Sequence, residues 1–157
     1  MTREMTLAID CGGGGIKGSV VDDRGTMIAP PHRVPTPYPL PPELLVDTAV
    51  GLARELPAAT RVTMGMPGMI RHGVVIATPH YITRDGPRSR VLPELVERWD
   101  HFDMGSAIEQ ALGLPTKVLN DAEVAGAGAI TGRGLEMIIT LGTGLGNAVF
   151  DGGQLAP

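Results

Sequence analysis

Four consecutive glycines between two apolar stretches constrain this chain more than any other feature. In the segment Ala8 to Ser19, AIDCGGGGIKGS, an apolar strand runs out at Asp10, the backbone is bare from Gly12 to Gly15, and Lys17 lies in the next stretch. Glycine admits φ > 0 and lets backbone N–H groups come close to an oxyanion, and Lys17 adds a movable positive charge. A plain hairpin turn needs only two such residues, and a buried Asp10 would need a partner. The segment therefore reads as a phosphate cradle formed by Asp10, Gly12, Gly13, Gly14, Gly15 and Lys17.

Two better-known phosphate motifs do not fit. A Walker A loop requires Gly before the Lys and Ser or Thr after it, where this chain has Ile16 and Gly18. Gly13, Gly15 and Gly18 satisfy G-x-G-x-x-G, but that fingerprint opens a helix whose N-terminus faces the pyrophosphate. The run from Ile16 to Asp22 is instead β-branched, without helical spacing, and ends at the turn Asp22-Asp23-Arg24-Gly25. The glycines are thus expected in a β-hairpin.

The chain has 157 residues, enough for one ordinary domain and too few for two full ones. Its composition is 43% hydrophobic with 3% aromatic, so the core must be built mainly from Val, Ile, Leu, Met and Ala. A formal net charge of -4 argues against nucleic acid or an anionic membrane as partner. The single Cys11 excludes an internal disulfide and a cysteine-built zinc site, which makes a reducing cytoplasm the expected compartment. Met5 to Ile9 is too short for a signal sequence, and no stretch is long and apolar enough to span a bilayer.

Strands are expected at Met5–Asp10, Ile16–Asp22 and Thr26–Val34, forming a meander, with an extended proline-rich connector from Pro35 to Pro42 after them. Pro42 opens an expected helix to Leu56, with leucines at helical spacing. Arg61–Met66 and Val74–Ala77 read as short strands around the His72-Gly73 turn, and Thr78 to Asp100 as an irregular loop. Asp103–Leu112 and Ala122–Ile130 read as helices separated by a buried strand at Thr116–Leu119. Met137–Leu141 and Asn147–Phe150 read as strands flanking Gly142-Thr143-Gly144-Leu145-Gly146. The design of the first hairpin therefore recurs, and two glycine turns facing each other across a cleft would hold a polyphosphate from both sides.

The segments IDCGGGGIKG at Ile9–Gly18, GMPGMIRHGVV at Gly65–Val75, VLNDAEVAGAGA at Val118–Ala129 and ITLGTGLGNAVFDGGQLAP at Ile139–Pro157 occur in the order of a known family. The chain resembles the ROK family of bacterial sugar kinases, most closely its glucokinase and polyphosphate-glucokinase branch. The resemblance implies an α/β fold, an actin-like (ribonuclease H-like) ATPase N-terminal domain over residues 1–134, with residues 135–157 as the first hairpin of a second domain. It implies phosphorylation of a hexose, glucose at its 6-hydroxyl, by ATP or polyphosphate with Mg2+. Asp10 would lie near the donor phosphates and, indirectly, the Mg2+. Gly12 to Gly15 with Lys17 would form one phosphate loop, and Gly142, Thr143 and Gly144 the other. Asn120 would bind a sugar hydroxyl, Asp121 would be the catalytic base, and Pro67 with Gly68 would line the sugar pocket. The complete protein is expected to be a homodimer.

The chain departs from the family pattern at three places. Gly14 stands where the family usually has Thr, and Pro79-His80-Tyr81 stands where it often has Pro-Asn-Leu, which makes His80 a candidate sugar ligand. The family pattern also continues beyond the point matching Pro157, so the chain is expected to be an N-terminal piece, inactive alone. The rival readings are a non-catalytic sugar-binding or dimerisation module, and a ROK repressor, for whose helix-turn-helix the start at Met5–Asp10 leaves no room.

Overall fold

A computed structural model describes residues 4–142 and 144–156. Alternating apolar residues form strand β1 (Thr6–Cys11) and strand β2 (Ile16–Val21), which pair antiparallel from Thr6↔Val21 to Cys11↔Ile16 and leave Gly12–Gly15 as their turn. Strand β3 (His32–Val34) extends β2, while β4 (Arg61–Met66) runs parallel to β1 and β7 (Thr116–Asn120) parallel to β4. The sheet order is β3-β2-β1-β4-β7. Parallel neighbours need crossover connections, and helices α1 (Pro42–Arg54) and α3 (Met104–Leu112) supply them on the way into β4 and β7.

Helix α1 has Pro42 in its first turn and buries Leu45, Ala49 and Leu52, one stripe at helical spacing, against the sheet. Helix α3 is capped by the Asp103 side chain, which accepts from Ser106 N–H at 2.9 Å, and it ends on Gly113 at φ 67. Leu7, Ile9, Ile16, Val20, Val62, Met64, Met66 and Val118 meet these helices in a single core.

Three expected elements change. The expected Thr26–Val34 strand is broken in two: Met27 makes an isolated antiparallel bridge to Val21 and Ile28 N–H donates to the Val20 carbonyl, but continuous pairing resumes only at His32–Val34, because Pro30 and Pro31 have no N–H to give to a ladder. Helix α2 (Pro93–Trp99) lies inside the segment expected to be irregular, with Leu95 and Trp99 buried. Trp99 donates from Nε1 to the Leu40 carbonyl at 2.9 Å and packs beside Tyr81 and Phe102. Strand β5 (Met69–Arg71) pairs with β6 (Val74–Ala77) through the His72-Gly73 turn, both of whose residues have positive φ (51° and 83°) as that tight hairpin requires.

Helix α4 (Asp121–Ala127) leaves directly from β7. It packs on a second sheet formed by β8 (Leu135–Leu141), β9 (Leu145–Asp151) and the two-residue β10 (Gln154–Leu155), a strand more than the expected hairpin. Phe150, Ala148 and Ala122 are buried on the α4 side. Leu135, Met137, Ile139 and Leu141 alternate onto the opposite face of β8 and are exposed, as is Leu145 on β9. Among the described residues, no helix is long and apolar enough to cross a membrane.

Candidate functional site

The carboxyl ends of the adjacent parallel strands β1, β4 and β7 lie side by side, with Asp10 opposite Gly65 and Met66 opposite Asn120. Ligands of parallel α/β sheets bind outside these ends. They open onto a cleft of about 880 Å³ whose other wall is the β8–β9 hairpin with its glycine turn. Asp10, Gly12, Gly13, Pro67, Gly68, His80, Asn120, Asp121, Gly142 and Gly144 all line it. Segments separated by more than a hundred residues in sequence thus meet in one place. Gly14, Gly15 and Lys17 do not reach the cleft wall, and Thr143 lies outside the described residues.

The turn from β4 into β5 is locked from two sides. Asn120 donates from Nδ2 to the Gly68 carbonyl at 2.6 Å, and the Thr78 hydroxyl donates to the Pro67 carbonyl at 3.0 Å. Gly68 sits at φ 118, and a Cβ there would collide with the Ala77 carbonyl oxygen. Only glycine fits this corner. Asn120 also caps α4: its Oδ1 accepts from Ala122 N–H at 2.8 Å, and its own N–H donates to Glu123 Oε2 at 3.0 Å. This is a capping box. Asn120 therefore holds the junction together, its Oδ1 taken up by backbone N–H groups of α4, while keeping one amide hydrogen for a ligand.

Asp121 is half-buried at the mouth of that junction, with Oδ1 accepting from Ala122 N–H at 2.8 Å. Burial raises its carboxyl above the ordinary aspartate value; the Ala122 N–H opposes this, the Asp10 carboxylate adds to it, and the His80 side chain opposes it. His80 lines the same cleft as Asp121.

Asp10 is mostly exposed rather than buried, and pairs with Lys17 at 3.6 Å. Its freely solvated oxygens suit the indirect holding of a Mg2+ that stays bound to phosphate oxygens and water. No group of three His, Cys, Asp or Glu side chains poised for a metal occurs among the described residues.

The first glycine turn differs from expectation in its backbone: none of Gly12 to Gly15 has positive φ. What it needs from glycine at Gly13 is space, whereas a Cβ on Gly14 would meet nothing within 4 Å and one on Gly15 only the movable end of Arg33. A Cβ on Gly13 would come within 2.6 Å of Pro87 Cγ, and one on Gly15 within 2.7 Å of the Arg33 guanidinium. The turn's carbonyls are taken up, Gly12 O by the hydroxyls of Thr36 at 2.7 Å and Tyr81 at 3.4 Å, and Gly14 O by Arg33 at 3.1 Å. The amides of Gly13, Gly14 and Gly15 donate to no protein acceptor among the described residues. An anion would find donors here and few competing acceptors.

Sequence reasoning missed Thr36, Tyr81, Arg33 and Glu123. The capping pattern Asn120-x-x-Glu123 is a local signal that could have flagged Glu123, whereas Thr36, Arg33 and Tyr81 reach the glycine turn from 19 to 69 residues away.

An α/β sheet of this order, with a glycine turn and a carboxylate at adjacent strand ends, is of the actin-like ATPase fold. The ROK family pattern matches residues 6–156, and this chain belongs to the ROK family. It is 35% identical over 156 residues to an N-acetylmannosamine kinase of Escherichia coli (strain SE11), covering 96% of this chain and 48% of that protein. It is 29% identical over 164 residues to a polyphosphate glucokinase of Mycobacterium tuberculosis, covering 99% of this chain and 57% of that one. The inorganic polyphosphate/ATP-glucomannokinase of Arthrobacter sp. strain KM superimposes with a TM-score of 0.78 at 33% identity, over 98% of this chain and 61% of that one. A ROK glucokinase of Streptomyces griseus, solved with glucose and AMPPNP, superimposes with a TM-score of 0.75 at 30% identity, over 97% and 46%. The chain spans about half the length of these relatives.

Proposed function

We propose that the protein carrying this chain is a cytoplasmic, homodimeric hexose kinase that phosphorylates glucose at its 6-hydroxyl, using ATP or inorganic polyphosphate with Mg2+. Residues 1–134 form its first domain and residues 135–157 open the second. The observation that carries this reading is Asp121, a half-buried carboxylate at the strand ends of one lobe, facing a cleft walled by two glycine turns.

In the proposed reaction Asp121 accepts the proton of the sugar hydroxyl as its oxygen bonds to the terminal phosphorus, and the phosphorus–oxygen bond to the rest of the donor breaks. Asn120, the Pro67-Gly68 corner and His80 position the sugar. The free amides of the first glycine turn, together with the Gly142-Thr143-Gly144 segment, orient the terminal phosphates. Asp10 would hold, indirectly, a Mg2+ that accompanies the donor and that would supply charge neutralisation at the phosphates. The 35%-identical N-acetylmannosamine kinase favours an N-acetylated amino sugar as the second substrate to assay.

Asp121→Asn in the full-length protein tests the reading. The helix cap belongs to Asn120, so folding should survive, while loss of a general base costs roughly a hundred- to ten-thousand-fold in kcat. A fall of less than about tenfold would place the base elsewhere.

A further inference from the structure

The loop after His80 closes into a small hairpin. Thr83 bridges to Val91, Arg84 N–H donates to the Arg90 carbonyl at 2.9 Å, and the hydroxyls of Thr83 and Ser89 both donate to the Gly86 carbonyl. The Ser89 hydroxyl also accepts from Asp85 N–H at 2.9 Å, which fixes the tip. The hairpin is set against the first glycine turn, with Pro87 over Gly13 and Gly86 against the Tyr38 ring. It carries Arg84, Arg88 and Arg90, all exposed. Arg84 pairs with Asp85 at 2.9 Å, whereas Arg88 and Arg90 have no side-chain partner among the described residues.

On the other side of the same turn, β2 and β3 place Lys17 opposite Arg33, and Arg33 reaches over Gly15 to the Gly14 carbonyl. Five cations, Lys17, Arg33, Arg84, Arg88 and Arg90, thus flank the turn with only Asp10 and Asp85 as ion-pair partners among the described residues, in a chain whose net charge is -4. Gly12 and Gly13 face the cleft, while Gly14, Gly15 and Lys17 lie beyond its wall. The positive surface therefore continues past the point where a donor's terminal phosphates would sit. Neither aromatic near it offers a stacking face to a base, because Tyr81 is buried and Tyr38 is covered by Gly86.

We propose that the arginine hairpin at residues 83–91, together with Arg33 and Lys17, is a track for an extended inorganic polyphosphate, and that it makes the long polymer the preferred donor over a nucleoside triphosphate. This rests on the donor-site reading above and extends it. Phosphates are spaced along the polymer with no base or ribose, so a row of mobile guanidinium groups suits them, and each phosphate contact adds to the salt dependence of binding.

The test measures binding of long-chain inorganic polyphosphate, tripolyphosphate, ATP and single-stranded polyuridylate to the full-length protein at several salt concentrations, with the double variants Arg88→Ala/Arg90→Ala and Arg88→Lys/Arg90→Lys beside the parent. Long polyphosphate should bind the alanine variant roughly tenfold more weakly, with a salt slope shallower by about one to two, while the lysine variant recovers most of the affinity. Tripolyphosphate and ATP should change less than about twofold, since both end near the cleft. Long polyphosphate affinity that is absent, or indifferent to the alanine variant, overturns the track and leaves the kinase reading standing if ATP still binds. An equal loss for ATP also overturns it, since the arginines would then serve any donor. Equally tight, arginine-dependent binding of polyuridylate overturns it in favour of a nucleic-acid surface. Failure of ATP, tripolyphosphate and polyphosphate alike would count against the donor site itself.

Discussion

The two glycine turns look alike in sequence and differ in what surrounds them. The turn at Gly12–Gly15 joins strands of the main sheet, its carbonyls are held by Thr36, Tyr81 and Arg33, and Pro87 covers Gly13. In the turn that begins at Gly142, nothing lies within 4 Å of a Cβ placed on Gly142 or Gly144, and Leu141 and Leu145 beside it are 82% and 70% exposed. The first sheet shares its core with three helices. The second has α4 on one face and a row of exposed leucine, methionine and isoleucine on the other. The first turn is therefore braced by neighbours from distant segments and can present donors without rearranging, whereas the described glycines of the second are held by the Gly142 N–H to Gly144 carbonyl bond and meet no such brace.

The largest expected effect contrasts the two cores. Trp99→Ala should lower the stability of the main lobe by roughly 3–5 kcal/mol, seen as a drop in Tm and faster exchange of the β1 and β4 amides. Phe150→Ala, although equally buried, should speed exchange mainly in β8 and β9. A global collapse from Phe150→Ala would show that the two regions unfold as one.

Next in size is the glycine pair. Gly13→Val must displace Pro87 and should cost about 1–3 kcal/mol of stability together with a clear rise in donor KM and unchanged sugar affinity. Gly142→Val meets open space in this chain and should change stability by less than about 0.5 kcal/mol. Equal effects from both would erase the distinction drawn between the turns. The smallest effect is that of Thr36→Val, which removes one hydroxyl from the Gly12 carbonyl and should cost about 1 kcal/mol. A thermal shift within error of the parent would mean that this brace does not hold the turn.

Much of this was legible in the sequence because it is local. Strand–glycine–strand, the Asn120-Asp121 junction and the Pro67-Gly68 corner each announce themselves within a few residues, and all line one cleft. Strand β3 came out short because Pro30 and Pro31 interrupt a run whose other residues suit a strand. Helix α2 was hidden by its length and by the charged, proline-bearing stretch before it, and its reason to form is the burial of Trp99 under Leu40 and Tyr81. The proline-rich connector gave no hint that Thr36 would be buried against Gly12. Such long-range partners leave no periodic trace. The role expected of Gly12–Gly15 rested on φ, whereas none of the four has positive φ and the clearest need for glycine is at Gly13, where Pro87 leaves no room for a Cβ.

The central claim is that Asp121 is the base of a phosphoryl transfer in this cleft, and the pH dependence of kcat in the full-length protein tests it most directly. The base works ionised, and burial raises its carboxyl above the ordinary aspartate value, so kcat should fall with decreasing pH around an apparent pKa above that value. A raised carboxyl also means that ionisation works against the folded state, so stability tied to Asp121 is present at low pH and lost as pH rises through its titration. Asp121→Asn should therefore keep its Tm at neutral pH while the acidic limb disappears from what activity remains. An unchanged acidic limb in Asp121→Asn would contradict the account.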